Sequence, residues 1–229
     1  MTTLHKKSRI LGLAFLIQFV TSFSAGVFVL PMVTGVKAFG TPQGIGQIMA
    51  NVAQNAGLVR VNIFIELITA AGVIFLGAML YSAVKKQNDG LALTAFGLYV
   101  MEGVLIAATK IALFVLLIMS RQFIAAGSPA SLEPAATLVY EVMEFLPKMH
   151  SVAFCLGGTI FYAMLFKART VARPLSLWGL VSAQGIFAGV LLGLFGAKAP
   201  VILYIPYIPF EFVIAIWILI KGINKEKDN

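Results

Sequence analysis

The stretch GLALTAFGLYVMEGVLIAATKIALFVLLIM, Gly90–Met119, decides the fold. It holds thirty residues and only two charges, Glu102 and Lys110. At a rise of about 1.5 Å per residue a helix of this length exceeds a bilayer core of about 30 Å. The apolar residues run on without the strict alternation of a barrel strand, so the stretch reads as a membrane-spanning helix. Five more runs have the same character: Ile10–Val36, Leu58–Val84, Ala136–Phe166, Leu175–Ala197 and Val201–Ile220. The spacing therefore predicts an all-α polytopic integral membrane protein, one transmembrane helix-bundle domain over residues 1–229.

Composition agrees. Of 229 residues, 60% are apolar and 11% charged, against about 25% charged in soluble domains. That excludes a disordered chain and argues against a soluble one. The net charge of +8 would point to nucleic acid only if it clustered on a soluble face. It falls instead in short connections. Lys6, Lys7, Arg9, Lys85, Lys86, Lys167, Arg169, Arg173, Lys221, Lys225 and Lys227 lie on one side of the six spans. Lys37, Arg60, Arg121 and Lys198 lie on the other. The positive-inside rule then puts both termini and the second and fourth connections in the cytoplasm. The basic N-terminus before Ile10 has the outline of a signal peptide, but the apolar run is too long for one and reads as an uncleaved first span.

Cys155 is the one cysteine, so no disulfide forms within the chain. With only His5 and His150, a three-histidine metal centre cannot be assembled. No metal and no cofactor is expected. The expected partners are the bilayer and a small-molecule or lipid ligand, with no nucleic acid.

Between the first two spans, Ile45, Ile48, Met49 and Val52 keep helical spacing. They predict a short amphipathic helix lying on the outer surface or folding back as a cap; a plain helical linker fits equally. Ser120–Pro134, with Gly127 and two prolines, reads as a loop. Gly185, Gly189 and Gly193 form a small-residue stripe for close helix packing. Pro31, Pro147, Pro206 and Pro209 are expected to kink or open helices.

The chemistry should lie in polar groups inside apolar spans, since an ionised side chain at a helix centre costs about 2.5–3.5 kcal/mol on insertion scales. Glu66, Glu102, His150, Glu211, Gln184 and Arg60 are the candidate ligand or proton residues. Glu144, Lys148, Lys110 and Glu141 are the candidate structural ion-pair residues, with Glu144 and Lys148 at i, i+4 spacing. Helical depth places them together in the outer half of the bundle, Glu211 about 15 Å below Val201. Tyr81, Tyr99, Tyr204, Tyr207, Trp178 and Trp217 read as interface anchors or packing residues. This pattern favours a protein that handles a small molecule, ion or proton. Two alternatives stay open: an intramembrane enzyme using His150 on a lipid or quinone-like substrate, and a non-catalytic sensor or partner subunit.

The chain resembles a bacterial family of small multi-pass membrane proteins known as domain of unknown function 4386. The resemblance rests on Arg9-Ile-Leu-Gly-Leu13, Asn51 through Arg60, Leu80-Tyr81 with Lys85 and Asn88, and Tyr99-Val-Met-Glu102. It continues in Phe161 to Gly179, with Arg173-Pro174-Leu175 and Trp178-Gly179, and in Glu211 through Trp217 to Lys221-Gly222. It implies a membrane fold and no activity. The sequence departs at Tyr99-Val-Met, where the resemblance leads one to expect an arginine, so Glu102 lacks a local countercharge.

Overall fold

A computed structural model describes residues 3–36 and 43–223, with side-chain surroundings from Arg9 onward. Lys37, Lys225 and Lys227, and the side chains of His5, Lys6 and Lys7, lie outside it. The described chain is helical, with no strand. Its principal helices are α1 (Thr3–Phe23), α2 (Leu30–Thr34), α3 (Ile45–Gln54), α4 (Ala56–Val84), α5 (Asp89–Ala125), α6 (Glu133–Ala168), α7 (Arg173–Leu194) and α8 (Tyr207–Lys221). Six stretches are long and apolar enough to cross a membrane: Arg9–Thr34, Ala56–Val84, Asp89–Ala125, Ala130–Ala168, Arg173–Leu194 and Val201–Lys221. These match the six predicted runs, and the protein is a multi-pass membrane protein.

Local chemistry sets the boundaries. The Asn88 side chain accepts from the Leu91 amide at 3.0 Å and caps α5. At the far end Gly127 takes φ 77°, and the Ser128 amide reaches back to the Phe123 carbonyl at 2.8 Å. This is a Schellman stop, and only glycine adopts that φ freely. The third span therefore ends at Ala125, and the expected loop from Ser120 is a correction: Ser120–Ala125 are helical. Gly196, at φ 78°, ends α7 in the same way. In the first span Pro31 has no N–H to offer a carbonyl one turn back, and a wide π turn, Ser24–Val29, precedes it.

The sixth span is not one helix. Val201–Leu203 form a single 3₁₀ turn, and α8 begins only at Tyr207, with Pro206 at its N-cap and Pro209 in its first turn. Its 15 residues make about 22 Å, short of a bilayer core. Glu211 therefore lies one turn inside a helix end, not deep in a continuous helix as its distance from Val201 suggests.

The chain folds as two compact units. One joins residues up to Phe19 with Ala71–Val104 and everything from Lys148. The other joins Val20–Ala70 with Leu105–Pro147. In the second, α3 folds back as a cap. Ile48, Met49 and Val52 are buried among Val33, Val59, Leu113 and Leu116. Asn51 fastens it, donating to the Thr34 carbonyl at 3.0 Å. Burying each such apolar side chain out of water is worth about 1.5–3 kcal/mol.

Candidate functional site

The buried charges fall into different settings in the two units. In the unit holding Val20–Ala70 and Leu105–Pro147, Lys110 on α5 donates to Glu66 on α4 at 3.2 Å. Their side chains are 10% and 15% exposed, so this is a buried ion pair across two helices. One turn before Glu66, Asn62 is fully buried and donates to the Ala25 carbonyl in the π turn at 3.0 Å. Its Oδ1 has no hydrogen-bond partner among the described residues. Arg60, Glu141 and Glu144 are exposed. Glu133 sets a carboxylate oxygen over Gly46 in the first turn of α3, where a helix favours negative charge.

The other unit holds Glu102 on α5 and Glu211 on α8. They are 7% and 9% exposed. The two carboxyls are close enough for their charges to interact. Unlike Glu66, neither has a basic side chain beside it among the described residues. Glu102 Oε2 is buried without a hydrogen-bond partner.

Tyrosines surround them instead. Tyr207 precedes Glu211 by four residues, on one face of α8. The Tyr207 hydroxyl lies 3.3 Å from that of Tyr162 on α6. Tyr99 is buried on α5 three residues before Glu102, and Tyr162 is buried on α6. Tyr99 and Tyr162 are 2% and 0% exposed, so Tyr99 is a packing residue of the two roles expected for it.

Small residues make this arrangement fit. A methyl group on Gly77 of α4 would stand 2.7 Å from Tyr99 Cβ, and one on Gly157 of α6 would stand 2.9 Å from the Tyr99 ring. Gly179 of α7 makes room for Phe210 in the same way. Edge-on packing of Tyr99 with Phe161 and of Tyr162 with Phe210, each at 5.2 Å between centroids, fixes the rings.

The break before α8 stands against α7. A methyl on Gly185 would lie 2.9 Å from the Leu203 carbonyl oxygen, and one on Gly189 would lie 2.7 Å from the Tyr204 ring. The Trp178 indole donates to the Pro206 carbonyl at 3.0 Å. The glycine stripe thus seats a non-helical segment. Gly185 lies nine residues before Leu194, about 13 Å from the end of α7, so that segment sits at membrane depth. Irregular backbone survives there only when protein covers it or water lines it. Gly193 faces the Lys148 side chain. Gln184 is exposed and donates to Thr159 across α6 and α7. His150 is half-buried on α6, twelve residues and about 18 Å along the helix from Tyr162.

Sequence reasoning missed the tyrosine hydroxyls and Asn62. The signals were present in Gly77, Gly157 and Gly179 inside apolar runs, and in the pair Pro206 and Pro209.

The sequence profile of a family described as "Domain of unknown function (DUF4386)" matches residues 10–222. No curated protein and no solved structure matches the chain.

Proposed function

The chain belongs to the DUF4386 family, which lends it no activity, and from its geometry we propose that it carries a proton or a cationic solute across the membrane through the Glu102–Glu211 pair. One observation carries this reading: two nine-tenths-buried carboxyls on different helices, with no basic group beside them among the described residues. A purely structural acid would be matched from a neighbouring helix, as Glu66 is matched by Lys110. An unmatched pair in an apolar surround calls for positive charge from outside the protein. No three of His, Cys, Asp or Glu gather among the described residues. That donor set suits a proton or an organic or monovalent cation better than a transition metal.

The broken sixth span supports the same reading, because carriers place their binding sites beside interrupted helices. In this reading the termini face the cytoplasm and the protein lies in a bacterial cytoplasmic membrane, in keeping with eleven basic residues on one side against four.

Proteoliposomes loaded with a pH-sensitive dye test it. A pH gradient is imposed, and sodium, potassium or tetraphenylphosphonium is added outside. The wild type is expected to dissipate the gradient with at least one probe, and Glu102→Gln and Glu211→Gln are expected to hold it. Equal dissipation in both variants, or a wild-type gradient that withstands every probe, overturns the reading.

A further inference from the structure

The corner between α6 and α7 reads Lys167-Ala168-Arg169-Thr170-Val171-Ala172-Arg173, three basic residues in seven. It joins two spans, Ala130–Ala168 and Arg173–Leu194, so it lies at the level of the headgroups. Lys167, Arg169 and Arg173 are all exposed, and from Phe145 to Phe210 the chain has no acidic residue. Lys221 ends α8 on the same side, since α8 runs antiparallel to α7, with Phe210 against Gly179 and Leu203 against Gly185. We infer that this corner binds the phosphate group of an anionic phospholipid, with Arg169 and Arg173 as its principal contacts.

Orientation in the membrane asks only for positive charge on one side and does not explain how these cations are held. The Arg173 guanidinium lies 5.2 Å from the centre of the Phe166 ring. That brings it back over the last turn of α6, which also carries Lys167. Arg169 takes φ 55°, in a left-handed turn where the Thr170 amide returns to the Leu165 carbonyl at 3.2 Å. Glycine takes that conformation freely and arginine does not. A residue serving the turn alone would be glycine, as at Gly127 and Gly196. Here the chain keeps a guanidinium, the side chain best shaped to grip a phosphate with two parallel bonds.

Two further features of the corner favour an anion. No side chain caps the start of α7 at Ala172, so its amide end keeps a partial positive charge. Thr170 is 3% exposed, and its hydroxyl has no hydrogen-bond partner among the described residues. It is a donor that a phosphate oxygen can satisfy. The surface beyond Arg173 favours a lipid over free phosphate. Leu177 and Val181 follow Arg173 at four-residue spacing on one face of α7, and both are exposed. A headgroup held at Arg173 lays its acyl chain along that face.

The test is native mass spectrometry of the full chain in detergent, titrated with phosphatidylglycerol, phosphatidylcholine and sodium phosphate. The wild type is expected to hold phosphatidylglycerol more tightly than phosphatidylcholine, and sodium phosphate is expected not to displace it. Arg169→Gly/Arg173→Gln is expected to weaken phosphatidylglycerol by about tenfold or more. Glycine suits the turn at position 169, so this variant is expected to fold as well as the wild type and the loss is one of binding. Arg121→Gln/Lys198→Gln removes the same charge elsewhere. It is expected to stay within about twofold of the wild type, since salt confines such attraction to about 10 Å. A corner variant that binds like the wild type, or weakens only as far as this control, overturns the site. So does phosphatidylcholine held as tightly as phosphatidylglycerol. Displacement of the lipid by sodium phosphate at equal concentration would make the corner an inorganic phosphate site and overturn the lipid assignment.

Discussion

In the unit built from Val20–Ala70 and Leu105–Pro147, a buried glutamate meets a lysine at 3.2 Å. In the unit that contains Ala71–Val104 and the chain from Lys148, two glutamates are buried with no basic side chain beside them among the described residues. The first arrangement is electrically closed. The second holds two acids with no basic side chain beside them among the described residues. Burial of an acid is thus no sign of function by itself. What distinguishes the two settings is whether the protein supplies the countercharge.

The comparison can be broken most sharply at Lys110. Lys110→Met leaves Glu66 buried and alone, and unfolding in detergent is expected to show a loss of about 3–5 kcal/mol. Adding Glu66→Leu to it should restore most of that loss, since an apolar pair of similar volume is close to neutral. No recovery in the double variant would mean that the pair holds more than itself.

Gly157→Ala tests the tyrosine setting from its packing. The new methyl meets the Tyr99 ring, and a loss of about 1–3 kcal/mol is expected from overpacking. Asn51→Ala removes the bond to the Thr34 carbonyl, and about 0.5–1.5 kcal/mol should go with it. Hydrogen exchange is then expected to rise first in the α3 amides. The smallest effect on stability belongs to Glu102→Gln. It keeps the shape of a group with no cation to lose, so its unfolding midpoint should move by less than about 1 kcal/mol. A large drop there would show that Glu102 is a structural tie like Glu66, and would remove the contrast.

Much of the fold was legible because lipid imposes a simple pattern, and six apolar runs need no tertiary information to be recognised. The cap helix Ile45–Gln54 was legible for a similar reason, its apolar residues falling on one face. The end of the third span was not, because apolar and polar residues mix over Ser120–Ala125 while the stop itself depends on the φ of Gly127. Glu66, Glu102, Lys110 and Glu211 stood out as charges in apolar runs. Their grouping did not, because depth along a helix says nothing of rotation about it. Glu66 and Lys110 are 44 residues apart, and only packing makes them neighbours. The tyrosines escaped because an amphipathic ring fits a membrane surface as readily as a buried core, and sequence does not separate the two.

The seam between α7 and the segment before α8 bears on how the protein enters the membrane. Pro200–Pro206 cannot close a regular ladder of backbone bonds on its own, and hydrocarbon offers no substitute partners. Its close seat is the Gly185–Gly189 surface and the Trp178 indole, all on α7. A sixth span released alone into lipid would carry bare carbonyls. The sixth span therefore depends on α7 for cover that lipid does not give.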